Sequence, residues 1–121
     1  MSDALALTGR CLLAMLLILG ALQKLGDPSG AMGLLTDWSL PSLLVYPALA
    51  FNALAGAALL AGWRTKPIAL LAAAYCAVTS LFHYLPEDPW QMTIFVKNWS
   101  IAGGFLMLAA FGPGRYALDA R

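Results

Sequence analysis

Few side chains in this sequence can do chemistry, and most of them lie at the edges of long apolar runs. Lys97 stands beside Asn98 and Ser100, Lys24 closes one run, His83 falls near the end of another and Gln91 opens a further one. An ionisable group inside a membrane is costly unless it is paired or faces a cavity, which marks Arg10 and Lys97 as candidates. No apolar run contains a carboxylate, so a partner for Lys97 must come from a loop acid, a backbone group or a ligand. If the chain folds back and forth as set out below, Lys24, His83 and Lys97 gather at one mouth ringed by Asp27, Asp37, Glu87 and Asp88. Such a cluster of donors suits an anion or a quinone carbonyl; the plainer alternative is a solvated rim of weak ion pairs. For Arg10 two readings stand side by side, a functional group or a long side chain snorkelling to the interface. Asn52 is polar at depth, which a hydrogen bond to a neighbouring helix would explain.

Other chemistries are poorly provided for. A single histidine cannot supply bis-His haem ligation within one chain, and no His, Cys and carboxylate cluster has zinc spacing, so no metal site is expected. Cys11 and Cys76 lack the C-x-x-C spacing of a thiol-disulfide enzyme and read as packed apolar residues. There is no Gly-rich phosphate loop and no nucleophile elbow. No residue is assigned a catalytic role, and no covalently attached cofactor is evident.

The elements that must position these groups are membrane helices. Of the 121 residues 61% are apolar and only 11% charged, against about 25% charged in a soluble domain, and the mean hydropathy is +0.77. A net charge of +1 offers no basic field for nucleic acid, which is excluded as a partner. Four stretches lack Asp, Glu, Lys, Arg and His: 11–23, 38–63, 67–82 and 98–114. Roughly 20 residues are needed to cross the hydrocarbon, so the first and last must extend outward, taking in Arg10 and Lys97. Helices are predicted near 5–25, 42–62, 67–85 and 91–112, within a single membrane domain over 1–121. Asp27-Pro28 and Asp88-Pro89 read as helix starts, the former opening a short interfacial helix over 28–37. Pro47 should bend the second span. The fold class is all-α, an integral membrane four-helix bundle.

Arg10, Arg64, Lys66, Arg115 and Arg121 fall on one side and Lys24 and Lys97 on the other, which predicts N and C termini in the cytoplasm. A cleaved signal peptide is the minor rival for the first 25 residues, but Asp3 and the lack of a clean small-x-small site argue against it. Rows of small residues, Ala53, Ala57 and Ala61 in span two and Ala69, Ala73 and Ala77 in span three, are expected to be packing faces, as are Gly20 and Gly103-Gly104. The short 63–66 turn should make spans two and three antiparallel neighbours.

The ordered set of features resembles the DoxX family of small four-helix bacterial membrane proteins. It comprises Gly9-Arg10 leading into Leu-Leu-Ala, the run from Gly20 to Leu25 with Lys24, the stretch closing as Leu-Leu-Ala-Gly-Trp-Arg-Thr-Lys-Pro, Phe95-Val96-Lys97-Asn98, and the terminal Gly112 to Asp119. The matching positions are Arg10, Lys24, Arg64, Lys97, Asn98 and Arg115. The resemblance implies a multi-pass protein of the bacterial plasma (inner) membrane associated with membrane redox systems, but it transfers no catalytic role to any of them. The function expected is an accessory or quinone-associated redox component, with Lys97, Asn98, Lys24, His83 and Arg10 as candidate ligand-binding residues and quinone as the candidate cofactor. Expected partners are the lipid bilayer and a larger membrane complex or a second copy of the chain. The alternatives are a non-catalytic structural subunit or scaffold and, third, a small anion or solute transporter. The acid that cation-coupled four-span exporters carry in their first span is missing between Arg10 and Lys24.

Overall fold

A computed structural model describes residues 2–120. Five α-helices follow one another: α1 (Ser2–Gly26), α2 (Ser29–Asp37), α3 (Val45–Ala61), α4 (Thr65–Ser80) and α5 (Pro89–Phe111), with single 3-10 turns at Ser42–Leu44, Leu81–His83 and Leu118–Ala120. There is no strand among the described residues. Four segments, Asp3–Gly26, Ser42–Ala61, Thr65–His83 and Pro89–Phe111, are long and apolar enough to cross a membrane. The 25 residues of α1 span about 37 Å at 1.5 Å per residue. In hydrocarbon a helix satisfies its backbone internally, and this is why the apolar runs can take no other form.

The helices run alternately up and down. The strongest packing is α1 against α3 and α4 against α5, whereas α3 meets α4 and α1 meets α5 only lightly. The bundle is therefore two antiparallel pairs laid side by side. The tight turn after Ala61 does join α3 to α4, but each finds its main partner elsewhere. Residues from both pairs share one core built around Leu17, Leu59, Ala69, Ala73 and Phe105.

Two packing expectations need correction. On α4, Ala69 and Ala73 are buried as predicted; on α3 the row Ala57 and Ala61 faces outward, and the buried face is Val45, Asn52, Ala55, Gly56 and Leu59. Every face of a membrane helix is apolar, so small-residue spacing alone cannot select the inner one. Gly104 does pack against α1, where an added Cβ would sit 3.3 Å from Leu13, but Gly103 meets nothing within 4 Å. A 3-10 turn over Ser42–Leu44 runs directly into α3, so Pro47 lies about a turn and a half into the helical segment Ser42–Ala61, as expected.

The remaining starts and stops follow local chemistry. Asp88 caps α5 by accepting from the Trp90 and Gln91 N–H groups at 3.0 and 3.3 Å, with Pro89 at the first helical position as expected. Helix α4 has no side-chain cap of its own, because Arg64 precedes it in a left-handed conformation at φ 48°. Its cap comes from the far end of the chain.

Candidate functional site: a cavity with a polar floor

At the end of the bundle away from the termini the two helix pairs enclose a cavity of about 520 Å³. It is bounded by the last turns of α1, the beginning of α3, the end of α4 and Asn98 of α5, with Leu34 and Leu35 of α2 closing one side. Its size lies within the range of about 300–1,000 Å³ typical of small-molecule sites. The α2 helix is held there by an edge-on contact between Trp38 and Phe82, whose ring centroids are 5.7 Å apart.

The polar floor is built from three helices. Lys24 and Gly20 are four residues apart and share one face of α1. Opposite them is Asn52, 3% exposed, two turns into α3. In the amide orientation that satisfies every neighbour, Asn52 Oδ1 accepts from Lys24 Nζ at 3.0 Å, and Nδ2 donates to Tyr75 Oη and to the Ala48 carbonyl, both at 3.2 Å. Gly20 makes this possible: a Cβ there would lie 2.8 Å from the Asn52 amide. Tyr75 is steadied by Phe51, whose ring lies 5.0 Å away centroid to centroid.

Nearer the mouth, His83 Nδ1 lies 2.7 Å from Gln91 Oε1. An amide oxygen only accepts, so Nδ1 is the donor of this pair, and in the neutral ring Nε2 is then an acceptor. Cys76 is a free thiol in the cavity wall. No Asp or Glu is among the lining residues.

The structure thus brings Lys24, His83 and Asn98 to one cavity and leaves Lys97 out. Lys97 is exposed on the outer face of α5, in a shallow groove with Met92, Thr93 and Val96. Adjacent residues on a helix point about 100° apart, and the rotation of α5 turns Asn98 toward the cavity and Lys97 outward. Asp27, Asp37, Glu87 and Asp88 form no lining of the mouth. Sequence reasoning singled out Asn52 as polar at depth but not Tyr75, Gln23 or Thr79. The available signal was the polar series Tyr75, Thr79, His83 at four-residue spacing along one helix face.

Arg10 lies at the opposite end. It is 2% exposed and donates to the carbonyls of Tyr116 at 2.8 Å, Pro113 at 3.2 Å and Leu60 at 3.4 Å. It neither lines the cavity nor snorkels; it clasps the C-terminal tail to α1 and α3. Asp119 completes the clasp, accepting from the Arg64 and Thr65 N–H groups at 2.7 Å each while its own N–H donates to the Gly62 carbonyl at 2.9 Å. The bond from Thr65 N–H chiefly, with that from Arg64, holds the Asp119 carboxyl below its usual range. At Gly62, φ is 74° and a Cβ would lie 2.7 Å from the Arg10 guanidinium, so both backbone conformation and tail approach require glycine. Asp3 accepts from the Arg115 N–H at 3.2 Å, and both described ends of the chain therefore meet at one end of the bundle. Arg121, counted above among the cations of this end, lies outside the described residues.

Four helices long and apolar enough to cross a membrane, packed around a cavity, define the class as integral membrane protein. The chain belongs to the DoxX family, whose model matches residues 5–85. Inner membrane protein YqjF of Escherichia coli is 30% identical over 120 residues, covering 98% of this chain and 92% of that protein. Inner membrane protein YphA of the same bacterium is 36% identical over 93 residues, 68% of this chain and 63% of that protein. No solved structure matches the chain. Its place is the inner membrane, in keeping with these relatives and its four spans.

Proposed function

We propose that this protein is an accessory component of a membrane redox system that holds a quinone in the cavity beside Lys24. The observation that supports the reading is the Lys24–Asn52–Tyr75 chain at the base of a largely apolar space. A quinone needs an apolar slot for its tail and a few donors for its head oxygens. Lys24 and the Asn98 amide would donate to those oxygens, and His83 Nε2 would accept from a hydroxyl of the reduced form. When bound, a quinone supplies two-electron, two-proton exchange. No group of three or more His, Cys, Asp or Glu among the described residues could hold a metal, so the electrons would come from a partner protein. The excess of Lys and Arg at the end that joins the termini supports a cytoplasmic position for that end, which would turn the cavity toward the outer face.

Native mass spectrometry of protein extracted gently from its own membrane tests the proposal. Quinone bound to the wild type and to Lys97→Ala, and lost from Lys24→Ala, is the expected result. Protein partners retained in all three preparations with quinone in none would make the chain a structural subunit instead.

A further inference from the structure

The cavity contains an electrostatic imbalance. Lys24 is the one Lys or Arg among its lining residues, and no Asp or Glu joins it there. Asp27, three residues on, is turned away: its Oδ1 accepts from the Ser29 N–H at 3.2 Å and from the Ser29 hydroxyl. What Lys24 does have is one neutral acceptor, the Asn52 oxygen at 3.0 Å. An ammonium carries three donors, so two remain for a ligand. A cation in a low-dielectric site without a counter-charge attracts an anion far more strongly than it would in water.

We infer that the preferred ligand of this cavity carries one negative charge, an oxyanion head on a single apolar tail, with the head against Lys24. The inference rests on the cavity being a ligand site but not on the ligand being a neutral quinone. The Asn98 amide and the Tyr75 hydroxyl supply neutral donors, while the leucines of α1 and α2 receive the tail. At about 520 Å³ the space suits a single chain or a ring, not the two chains of a phospholipid. Two sources share this chemistry: the carboxylate of a fatty acid and the ionised hydroxyl of a hydroxyquinone.

The test uses the full chain in a neutral detergent and two matched pairs of probes. Oleate is compared with its methyl ester, and an ionised alkyl hydroxyquinone with its methyl ether. The anion of at least one pair is expected to bind about tenfold tighter or more than its neutral partner. That ratio should fall toward one in Lys24→Gln and return in Lys24→Arg. Equal affinity within both pairs, or a ratio that survives Lys24→Gln in folded protein, overturns the inference. The wild-type ratios decide the matter should the glutamine variant fail to fold. If only oleate discriminates and neither quinone binds, the quinone reading falls and the charge inference stands. If both quinones bind equally and oleate no better than its ester, the reverse holds. If none of the four binds, both fall.

Discussion

Asp119 caps a helix that begins 54 residues earlier, receiving the Thr65 N–H at 2.7 Å and the Arg64 N–H at the same distance. Helix α4 thus borrows its N-cap from the tail, and the tail is anchored by the helix it caps. Asp119→Ala should destabilise the fold by about 1 kcal/mol, the usual worth of a cap. Thermal unfolding in detergent reads this directly; an unchanged midpoint would show that water replaces the carboxylate without loss.

The same carboxylate should make stability acid-sensitive. Its folded-state value is depressed, so the stability it contributes is present above the ordinary carboxylate value of 3.8 and is lost as pH falls below that through the depressed value. Unfolding midpoints measured from pH 6 down to about pH 3 should decline more in the wild type than in Asp119→Asn. Parallel curves would place the acid sensitivity in other groups.

Arg10→Ala removes donors from three carbonyls at once. Because these sit beside a side chain only 2% exposed, the expected cost is about 3 kcal/mol or more. Limited proteolysis should then cut within residues 112–120 while the membrane helices stay intact. Arg10→Lys should not restore protection, since an ammonium cannot reproduce the spread of a guanidinium. A tail equally resistant in the wild type and the alanine variant would mean that Asp119 and Asp3 suffice.

Gly20→Ala and Gly103→Ala should behave oppositely. The first places a Cβ 2.8 Å from the Asn52 amide and must displace it from Lys24, whereas the second meets nothing within 4 Å. Ligand affinity should fall roughly tenfold in Gly20→Ala, with the midpoint lowered. Gly103→Ala should be neutral or stabilised by up to about 1 kcal/mol through helix propensity. Equal ligand affinity in the two variants would remove the Asn52 contact from any binding role.

Much of the fold can be read directly in the sequence. The charge-free runs mark four crossings because backbone groups in hydrocarbon must be satisfied within each segment. Asp88-Pro89 announces the start of α5 because an N-cap and a first-turn proline are local devices. Part of the site is legible too, in Lys24, His83 and Asn98, as polar groups bordering apolar runs.

The inner faces of the helices are a different matter. Between lipid and protein there is little hydrophobic contrast, so periodicity does not say that Asn52, Ala55 and Leu59 point inward and Ala57 outward. Tertiary packing alone decided that Lys97 faces out while its neighbour Asn98 faces the cavity, that Asn52 bridges Lys24 and Tyr75, and that Arg10 holds the tail. Sequence determined the membrane, the number of crossings and the supply of polar groups, all of which follow from local transfer energies. Which of those groups meet depends on the rotation of each helix about its axis, and that is set by contacts between residues far apart in the chain.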